Sequence, residues 1–351
     1  MVLVFFIMAF FSTVVVWFGS TWLDDSSQKL SKYFGLPEVV QGAIIAAVGS
    51  SAPELSSTVL STTLHGEFVL GVSAIVGSAI FNILVIPGLS ALYARGGRGV
   101  RVSKDVVKGD GLFYTLAVAV TLIVFNMATV YFPASDNLVG TMNRGLALVP
   151  VALYGLYIFL QYQEILDSRK SNHSGKEDYK DGPINIRREI LVFLGSIVLI
   201  IVSVEGLVYS GLQIGELLSI PSFLWGLTII AAATSLPDAK ISVDAARRGD
   251  GDISIANVLG SNIFDLCFCI PAGILIAGTA TIDLAQAAPM MGILVFATVS
   301  LFVMLRTELV LSRGEGFVCL TLYAIFVAFV IGETSGVTSL LGGAAQSMTG
   351  H

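Results

Sequence analysis

The sequence predicts an all-α polytopic membrane protein with ten transmembrane helices, arranged as two inverted repeats of five. Three observations predict this fold class: the composition, a series of ten apolar runs, and an internal repeat. Of the 351 residues, 55% are hydrophobic and only 13% are charged, whereas about 25% of the residues of a soluble protein are charged. Each spanning helix needs about 20 residues, so the chain has room for ten spans and for no separate soluble domain.

The predicted helices follow one another along the chain and are separated by short polar or glycine-bearing turns. They cover residues 2–18, 38–62, 68–93, 111–132, 145–162, 189–212, 222–246, 252–279, 286–305 and 316–334. The first run lacks the basic start and the cleavage site of a signal peptide, so it is predicted to be a helix. The most polar connection, 163–188, is predicted to be a flexible linker. It separates a first half, 1–162, from a second half, 189–351.

The positions of Lys and Arg predict the orientation, because basic residues are retained on the cytoplasmic side. With the N-terminus outside, 17 of the 19 basic residues fall in inward-facing loops, and the exceptions are Arg144 and Lys240. We therefore expect a multi-pass protein of the plasma membrane with both termini outside and the 163–188 loop in the cytoplasm.

The composition also limits the partners. A net charge of −6 provides no basic surface for nucleic acid, and the sequence predicts no partner beyond ions and the lipid bilayer. Cys267, Cys269 and Cys319 lie in apolar stretches and are expected to be small buried residues.

Two blocks of the first half recur in the second half. Residues 37–54, PEVVQGAIIAAVGSSAPE, align with 221–238, PSFLWGLTIIAAATSLPD, at an offset of 184. Residues 66–84 align with 249–267 at an offset of 183. The repeated motif therefore extends over 37–84 and again over 221–267. Because each half has five spans, the second half enters the membrane from the opposite side, which predicts inverted repeats.

Both copies place a proline among small polar residues inside an apolar span. Pro53 and Pro237 are expected to break their helices at mid-membrane, because proline lacks an N–H and frees a backbone carbonyl. Such a break is tolerated in a bilayer only where something polar satisfies the freed groups. An acidic residue follows each proline, Glu54 in the first copy and Asp238 in the second. A cation bound at the two breaks would satisfy both features.

A third acidic residue, Asp265, aligns with Asn82 of the first half. A charge at the centre of a membrane helix costs about 2.5–3.5 kcal/mol on insertion scales, so three buried carboxylates indicate function. Carboxylates, hydroxyls and freed carbonyls are the hard oxygen ligands that suit Ca²⁺ and Na⁺. Lys240 is predicted to pair with Asp244 and to point away from these carboxylates.

The strings GSSAPEL (49–55) with GSAIFN (77–82), and ATSLPD (233–238) with GSNIFD (260–265), resemble the two alpha-repeats of the sodium/calcium exchanger family. This family belongs to the cation/calcium antiporter superfamily, and the strings are most similar to those of the potassium-dependent members. The resemblance implies an antiporter that exchanges Na⁺ for Ca²⁺ by alternating access, without a cofactor, and it leaves co-transport of K⁺ open.

The resemblance also implies the ligands. For Ca²⁺ they are the carboxylates of Glu54 and Asp238 with the carbonyls of Ser50 and Thr234. For Na⁺ they are drawn from Ala47, Ser51, Ser78, Ala231, Thr234, Ser235 and Ser261, with Asn82 and Asp265 at the centre. Asp265 is also the residue implied to determine K⁺ co-transport.

Other functions remain as alternatives. A proton/calcium exchanger is the first, although neither repeat has the GNA-type sequence that such exchangers carry before the acidic residue. A passive calcium channel is the second. The third is an intramembrane aspartyl protease, suggested by the membrane aspartates and by the string Gly249-Asp250-Gly251-Asp252, which a tight turn explains better. We therefore predict a transporter and not an enzyme.

Overall fold

The computed structural model describes residues 1–34, 47–134, 138–171, 185–306 and 308–334. Within these ranges, eight helices are long and apolar enough to cross a membrane. Seven of them are α1 (Val2–Tyr33), α4 (Phe68–Tyr93), α6 (Asp110–Tyr131), which follows a short α5 (Lys104–Lys108), α7 (Arg144–Ser171), α8 (Ile186–Leu218), α14 (Leu284–Leu305) and α15 (Arg313–Thr334). The eighth consists of α12 (Gly251–Phe264), a π-helical segment (Asp265–Cys269) and α13 (Ile270–Ala277). The chain is therefore a mostly helical, multi-pass membrane protein.

Two further predicted spans are divided into shorter helices. In the first half these are α2 (Ala47–Ser50) and α3 (Ala52–Thr63), and in the second half α9 (Ser222–Trp225), a π-helical segment (Gly226–Ile230), α10 (Ala231–Thr234) and α11 (Leu236–Arg248). Pro53 and Pro237 lie in the first turns of α3 and α11. A proline is accommodated there because the first N–H groups of a helix have no partner within the helix. The polypeptide thus restarts a helix at the same point of both repeats.

Four short strands join the two halves. Strand β1 (Val100–Arg101) pairs with β4 (Val310–Leu311), and β2 (Val139–Asn143) pairs with β3 (Thr279–Asp283), in both cases antiparallel. Each pair therefore takes one strand from each half of the chain. Both small sheets therefore link the two halves of the chain.

Two hydrogen bonds link residues that are 183 or 184 positions apart, which is the offset of the sequence repeat. The hydroxyls of Tyr114 and Thr298 lie 2.8 Å apart, and Asn262 Nδ2 donates to the carbonyl of Ala79 at 3.3 Å. These contacts bring equivalent positions of the two repeats together, between α4 and α12 and between α6 and α14.

Helix α4 lies at the centre of the protein and is buried along almost its whole length. Gly77 allows it to approach the π-helical segment Gly226–Ile230, since a Cβ at this position would overlap the carbonyl of Leu227 and the side chain of Ala231. Helices α1 and α8 lie along each other and form a separate apolar cluster, in which Val16 and Leu23 meet Ile200 and Val204. The α1–α8 pair is thus a unit that is packed against the central helices.

Several boundaries differ from those predicted. Helix α1 continues to Tyr33, α7 continues to Ser171 and α8 begins at Ile186, so both ends of the predicted 163–188 linker are helical. The reason is that hydropathy identifies only the part of a helix that lies in the hydrocarbon core. Gln, Glu, Lys and Arg have high helix propensity, so a helix can continue through them into water. The middle of the linker, the start of the first repeat and the C-terminal tail, at 172–184, 35–46 and 335–351, lie outside the described residues.

Candidate cation site

The two acidic residues that follow the prolines are buried at equivalent positions. Glu54 lies in the first turn of α3 and Asp238 in the first turn of α11, and their exposed fractions are 1% and 0%. The N-terminus of a helix carries partial positive charge and favours an anionic side chain. The helix breaks therefore position both carboxylates and offset part of the cost of burying them.

Hydroxyl groups of the long helices bind these carboxylates in the same way in both repeats. Ser78 Oγ of α4 donates to Glu54 Oε1 at 3.4 Å, and Ser261 Oγ of α12 donates to Asp238 Oδ1 at 3.0 Å. Ser78 also lies 2.7 Å from the hydroxyl of Ser235, which belongs to the other half. The broken helices and the long helices thus converge on one point.

Contacts between the halves complete the arrangement. The side chain of Ser50 contacts Asp238, and the equivalent residue Thr234 contacts Glu54. Asn82 Nδ2 of α4 donates to Asp238 Oδ2 at 3.4 Å. Each acidic residue is therefore surrounded by polar groups of the opposite repeat, which makes this one composite site and not two separate ones.

Asp265 is the first residue of the second π-helical segment and is fully buried. Cys269 Sγ donates to Asp265 Oδ1 at 3.6 Å. Asp265 lies near enough to Glu54 and to Asp238 for their negative charges to repel one another. Three carboxylates thus share one buried region without a neighbouring Lys or Arg among the residues that contact them in the described structure.

Several oxygen atoms in this region are buried and have no hydrogen-bond partner among the described residues. They are Ser51 Oγ, Glu54 Oε2, Asn82 Oδ1 and Asp265 Oδ2. Ser51 lies close to Asp265, but neither of these two atoms has a partner with the distance and angle of a hydrogen bond. A buried polar atom without a partner costs about 1–3 kcal/mol, and all four of these are electron-pair donors that can accept a cation. In the described ranges, no three His, Cys, Asp or Glu side chains are grouped closely enough to hold a metal ion by themselves. Hydroxyl, amide and carbonyl oxygens would therefore have to complete any coordination shell.

The structure brings most of the residues predicted for the site together. The buried members are Ser50, Ser51, Glu54, Ser78, Asn82, Ala231, Thr234, Ser235, Asp238, Ser261 and Asp265. Ala47 belongs to α2, and its side chain lies outside what the structure describes. The three cysteines are buried and free, as predicted.

Two charged groups lie away from the site. Lys240 Nζ is 3.3 Å from Asp244 Oδ2, and both side chains are exposed, which confirms the predicted pair. Asp250 lies 3.7 Å from Arg248, and Asp252 accepts a hydrogen bond from the backbone of Ser103. The Gly249–Asp252 string therefore forms the junction between α11 and α12, and its aspartates bind Arg248 and Ser103.

Sequence reasoning did not single out Asn262. Its carboxamide accepts a hydrogen bond from Asn82 at 3.0 Å and donates to the Ala79 carbonyl at 3.3 Å, so it fixes the amide that faces Asp238. It was missed because the aligned residue of the first half is Ala79, which is apolar. The sequence did contain a signal, because Asn262 is an amide side chain in an apolar run, three residues before Asp265.

The chain matches the family described as sodium/calcium exchanger protein over residues 3–163 and 188–332. It is 26% identical to an uncharacterized membrane protein of Methanocaldococcus jannaschii, over 90% of this chain and 94% of that protein. It is 25% identical to the sodium/calcium exchanger MaX1 of Methanosarcina acetivorans, over 93% of this chain and 98% of that protein. A mouse protein, sodium/potassium/calcium exchanger 1, is 31% identical over 40% of this chain and 13% of its own length.

Among solved structures, the sodium-calcium exchanger NCX_Mj superimposes with a TM-score of 0.61 at 22% identity. The alignment covers 93% of this chain and 99% of that structure, and it concerns the fold alone. The family match covers most of the chain and includes both repeats. The chain therefore belongs to the sodium/calcium exchanger family of membrane ion transporters and is not an enzyme.

Proposed function

We propose that this protein is a secondary antiporter that exchanges Na⁺ for Ca²⁺ across the plasma membrane. The observation that carries the proposal is a group of four buried oxygens near the two helix breaks that have no hydrogen-bond partner among the described residues, two of them belonging to the three carboxylates. Such a set attracts cations strongly and offers only hard oxygen ligands, which Ca²⁺ and Na⁺ prefer. The family relation and the relative MaX1, which is named a sodium/calcium exchanger, support the same pair of ions.

For Ca²⁺ we propose the carboxylates of Glu54 and Asp238 with the carbonyls of Ser50 and Thr234. Na⁺ would use overlapping oxygens, so that one ion set excludes the other. The Na⁺ ligands in this proposal are drawn from Ala47, Ser51, Ser78, Ala231, Thr234, Ser235, Ser261, Asn82 and Asp265. The support for shared occupancy is that Ser78 contacts both Glu54 and Ser235, so one hydroxyl serves both halves.

Asp265 adds a third negative charge where the first half has the neutral Asn82. Three carboxylates balance Ca²⁺ plus one monovalent cation, so we include K⁺ in the proposal as an ion carried together with Ca²⁺. The match to sodium/potassium/calcium exchanger 1 agrees with this assignment, although it covers only part of the chain.

The proposed architecture is ten transmembrane helices in two inverted halves, 1–162 and 189–351, joined by a cytoplasmic linker, with both termini outside. The eight long helices and two broken ones agree with this count. The contacts between equivalent residues, Tyr114 with Thr298 and Asn262 with Ala79, support a twofold relation.

Alternating access would come from sliding of the α1–α8 pair along the central helices. The pair meets the rest of the protein largely through apolar side chains, among them Leu70 and Ile230, and such surfaces can slide without breaking many hydrogen bonds. Moving the site across the membrane with its carboxylates unneutralised carries a desolvation penalty. Only an occupied site would therefore change face, which couples the two fluxes.

The test is Ca²⁺ uptake into sealed proteoliposomes that contain Na⁺. We expect uptake to follow the outward Na⁺ gradient and to stop when Na⁺ is equal on both sides. Uptake that ignores Na⁺ but follows a pH gradient would instead establish a proton/calcium exchanger. Uptake without any counter-ion would establish a channel.

The K⁺ part of the proposal has its own comparison. We expect wild-type uptake to increase with external K⁺ and the Asp265→Asn variant to retain Na⁺-driven uptake without this increase. A wild-type protein that is indifferent to K⁺ removes K⁺ from the proposal and leaves Na⁺/Ca²⁺ exchange intact.

A further inference from the structure

A cavity with charged residues at one end lies outside the cation site, in the cleft between α1 and α8. Its volume is about 610 Å³, which is within the range of about 300–1,000 Å³ found for ligand pockets. It opens where α1 approaches its C-terminal end and α8 begins, a region that the basic residues predict to be cytoplasmic. None of the residues proposed to bind Ca²⁺ or Na⁺ lines it.

The mouth of the cavity carries charges of both signs. Lys29 and Arg188 supply two positive charges, and Asp25 and Glu189 supply two negative charges. Lys29 Nζ lies 3.4 Å from Glu189 Oε2 and so joins the two helices. Asp25 and Arg188 are exposed. A ligand that carries one anionic and one cationic group complements this arrangement, whereas a purely anionic ligand would face two carboxylates.

Beyond the mouth, the lining is apolar except for Ser26 and Ser196, whose hydroxyls donate to carbonyls of their own helices. From Arg188 to Leu199 the wall of α8 extends for eleven residues, which is about 16 Å at 1.5 Å per residue. This depth is about half of the ~30 Å thickness of a bilayer's hydrocarbon core, and so it matches one leaflet. At Gly195 no atom lies within 4 Å of the place where a Cβ would stand, so the groove stays open at mid-depth.

We propose that this cleft binds one phospholipid whose headgroup carries a phosphate and a primary ammonium, as in phosphatidylethanolamine. Arg188 and Lys29 bind the phosphate, Asp25 and Glu189 accept hydrogen bonds from the ammonium, and an acyl chain follows the groove past Gly195 to Leu199. A quaternary ammonium, as in phosphatidylcholine, has no N–H group to donate hydrogen bonds to the carboxylates. An anionic headgroup, as in phosphatidylglycerol, has no ammonium group to pair with them. Basic residues between helices at the cytoplasmic face are a known form of lipid recognition. The two carboxylates here restrict binding to headgroups that also carry a hydrogen-bonding cation.

The lipid would contact both members of the α1–α8 pair at the end where the Lys29–Glu189 ion pair already joins them. Trp22 also lines the cavity, and its ring belongs to the residue type that favours the headgroup region of a bilayer. The bound lipid is therefore expected to hold α1 and α8 together as one body, whatever ions the protein carries.

The experiment is native mass spectrometry of the full-length protein in detergent, with dioleoyl phosphatidylethanolamine, phosphatidylcholine and phosphatidylglycerol added in equal amounts. We expect one molecule of phosphatidylethanolamine to be retained at least tenfold over the other two. Arg188→Gln and Asp25→Asn should each reduce this retention about tenfold. Arg187→Gln is the matched control, because Arg187 is exposed but does not line the cavity, and it should bind like wild type.

Both test variants change exposed side chains, and unchanged thermal unfolding of each verifies that it is folded. Equal retention of the three lipids, a preference for phosphatidylcholine or phosphatidylglycerol, or the same loss in Arg187→Gln as in Arg188→Gln would overturn the proposal. So would retention that neither Arg188→Gln nor Asp25→Asn reduces. Because the readout is lipid binding, the result is independent of whether the protein exchanges Na⁺ for Ca²⁺.

Discussion

Glu54 carries a buried charge that is unfavourable for stability and that the proposed function makes necessary for cation binding. It is 1% exposed, and it is repelled by Asp265 and Asp238. Glu54→Gln keeps the size of the side chain and removes its charge. We expect the melting temperature of the ion-free protein to stay equal or rise, because the repulsion is relieved.

The stabilisation by Ca²⁺ should be lost in the same variant. A ligand at 100 times its Kd stabilises a protein by about 2.7 kcal/mol, so wild type should melt at a clearly higher temperature when Ca²⁺ is added. Thermal unfolding with and without Ca²⁺ measures this difference. Glu67→Gln, at an exposed position, should keep the full Ca²⁺ response, and a normal response in Glu54→Gln would contradict the assigned role.

Asn262 is predicted to matter although it is not among the ligands inferred from the repeats. Asn262→Ala removes one of the two acceptors of Asn82 Nδ2, which keeps Asp238, and removes the side-chain donor to the Ala79 carbonyl. Unsatisfied buried groups of this kind cost about 1–3 kcal/mol. We expect a lower melting temperature and a Ca²⁺ affinity reduced about tenfold, measured by unfolding and by calorimetric titration. Asn126→Ala, which removes only a bond to the exposed face of its own helix, should change neither.

The sequence predicted Glu54 and Asp238 because each follows a proline within an aligned block. It predicted Asp265 because a charge in an apolar run is costly and rare. Asn262 gave only the weaker signal of an amide in an apolar run, and the neutral thiol of Cys269 gave none. Their importance depends on which side chains of neighbouring helices they contact, and the packing of the helices determines those contacts.

At the scale of helices, the close approach of α4 to the broken helix is a specific constraint. Gly77→Ala would place a methyl group against the Leu227 carbonyl and Ala231, and overpacking typically costs about 1–3 kcal/mol. We expect a lower melting temperature together with weaker Ca²⁺ binding, since Ser78 is moved as well. Gly155→Ala in α7 meets nothing within 4 Å and should be neutral or slightly stabilising. Equal melting temperatures and equal Ca²⁺ binding of the two variants would contradict the close contact of α4 with the segment Gly226–Ile230.

The movement of α1 and α8 as one unit can be tested with two disulfides. A Cβ at Gly206 would lie 3.6 Å from that of Ser12, and a Cβ at Gly49 would lie 3.9 Å from that of Asp24, both near the mean of about 3.8 Å for disulfides. Ser12→Cys with Gly206→Cys joins α1 to α8 and should leave Na⁺-driven Ca²⁺ uptake unchanged. Asp24→Cys with Gly49→Cys joins α1 to α2 and should block uptake until the disulfide is reduced.

Uptake that survives the α1–α2 disulfide would show that α1 does not slide. A block by the α1–α8 disulfide would show that these two helices move separately. The three native thiols are buried, so they should not compete for oxidation.

Helix existence followed from hydropathy, whereas several helix details did not. The extension of α1 to Tyr33 and of α7 to Ser171 occurs in polar sequence, where a hydropathy window gives no signal. The π-helical segments at Gly226–Ile230 and Asp265–Cys269 likewise have no marker in composition. They arise where the backbone must fit the closely packed central helices, and such segments are frequent at functional sites.

At the scale of the whole molecule, equivalent positions of the two halves lie in contact, one of these contacts being beside the site. The offset of 184 residues was readable from the sequence, and it recurs in the Tyr114–Thr298 contact. The sequence could not show which equivalent residues touch, because that depends on how the two halves pack against each other.

The central claim is that Na⁺ and Ca²⁺ compete for one site formed by both halves. Its most direct test is equilibrium Ca²⁺ binding to the purified full-length protein as NaCl is raised, with choline chloride at equal ionic strength as the reference. We predict that the apparent Kd for Ca²⁺ rises with a power of the Na⁺ concentration greater than one, while choline chloride leaves it unchanged. The same Kd in NaCl and in choline chloride would contradict a shared site.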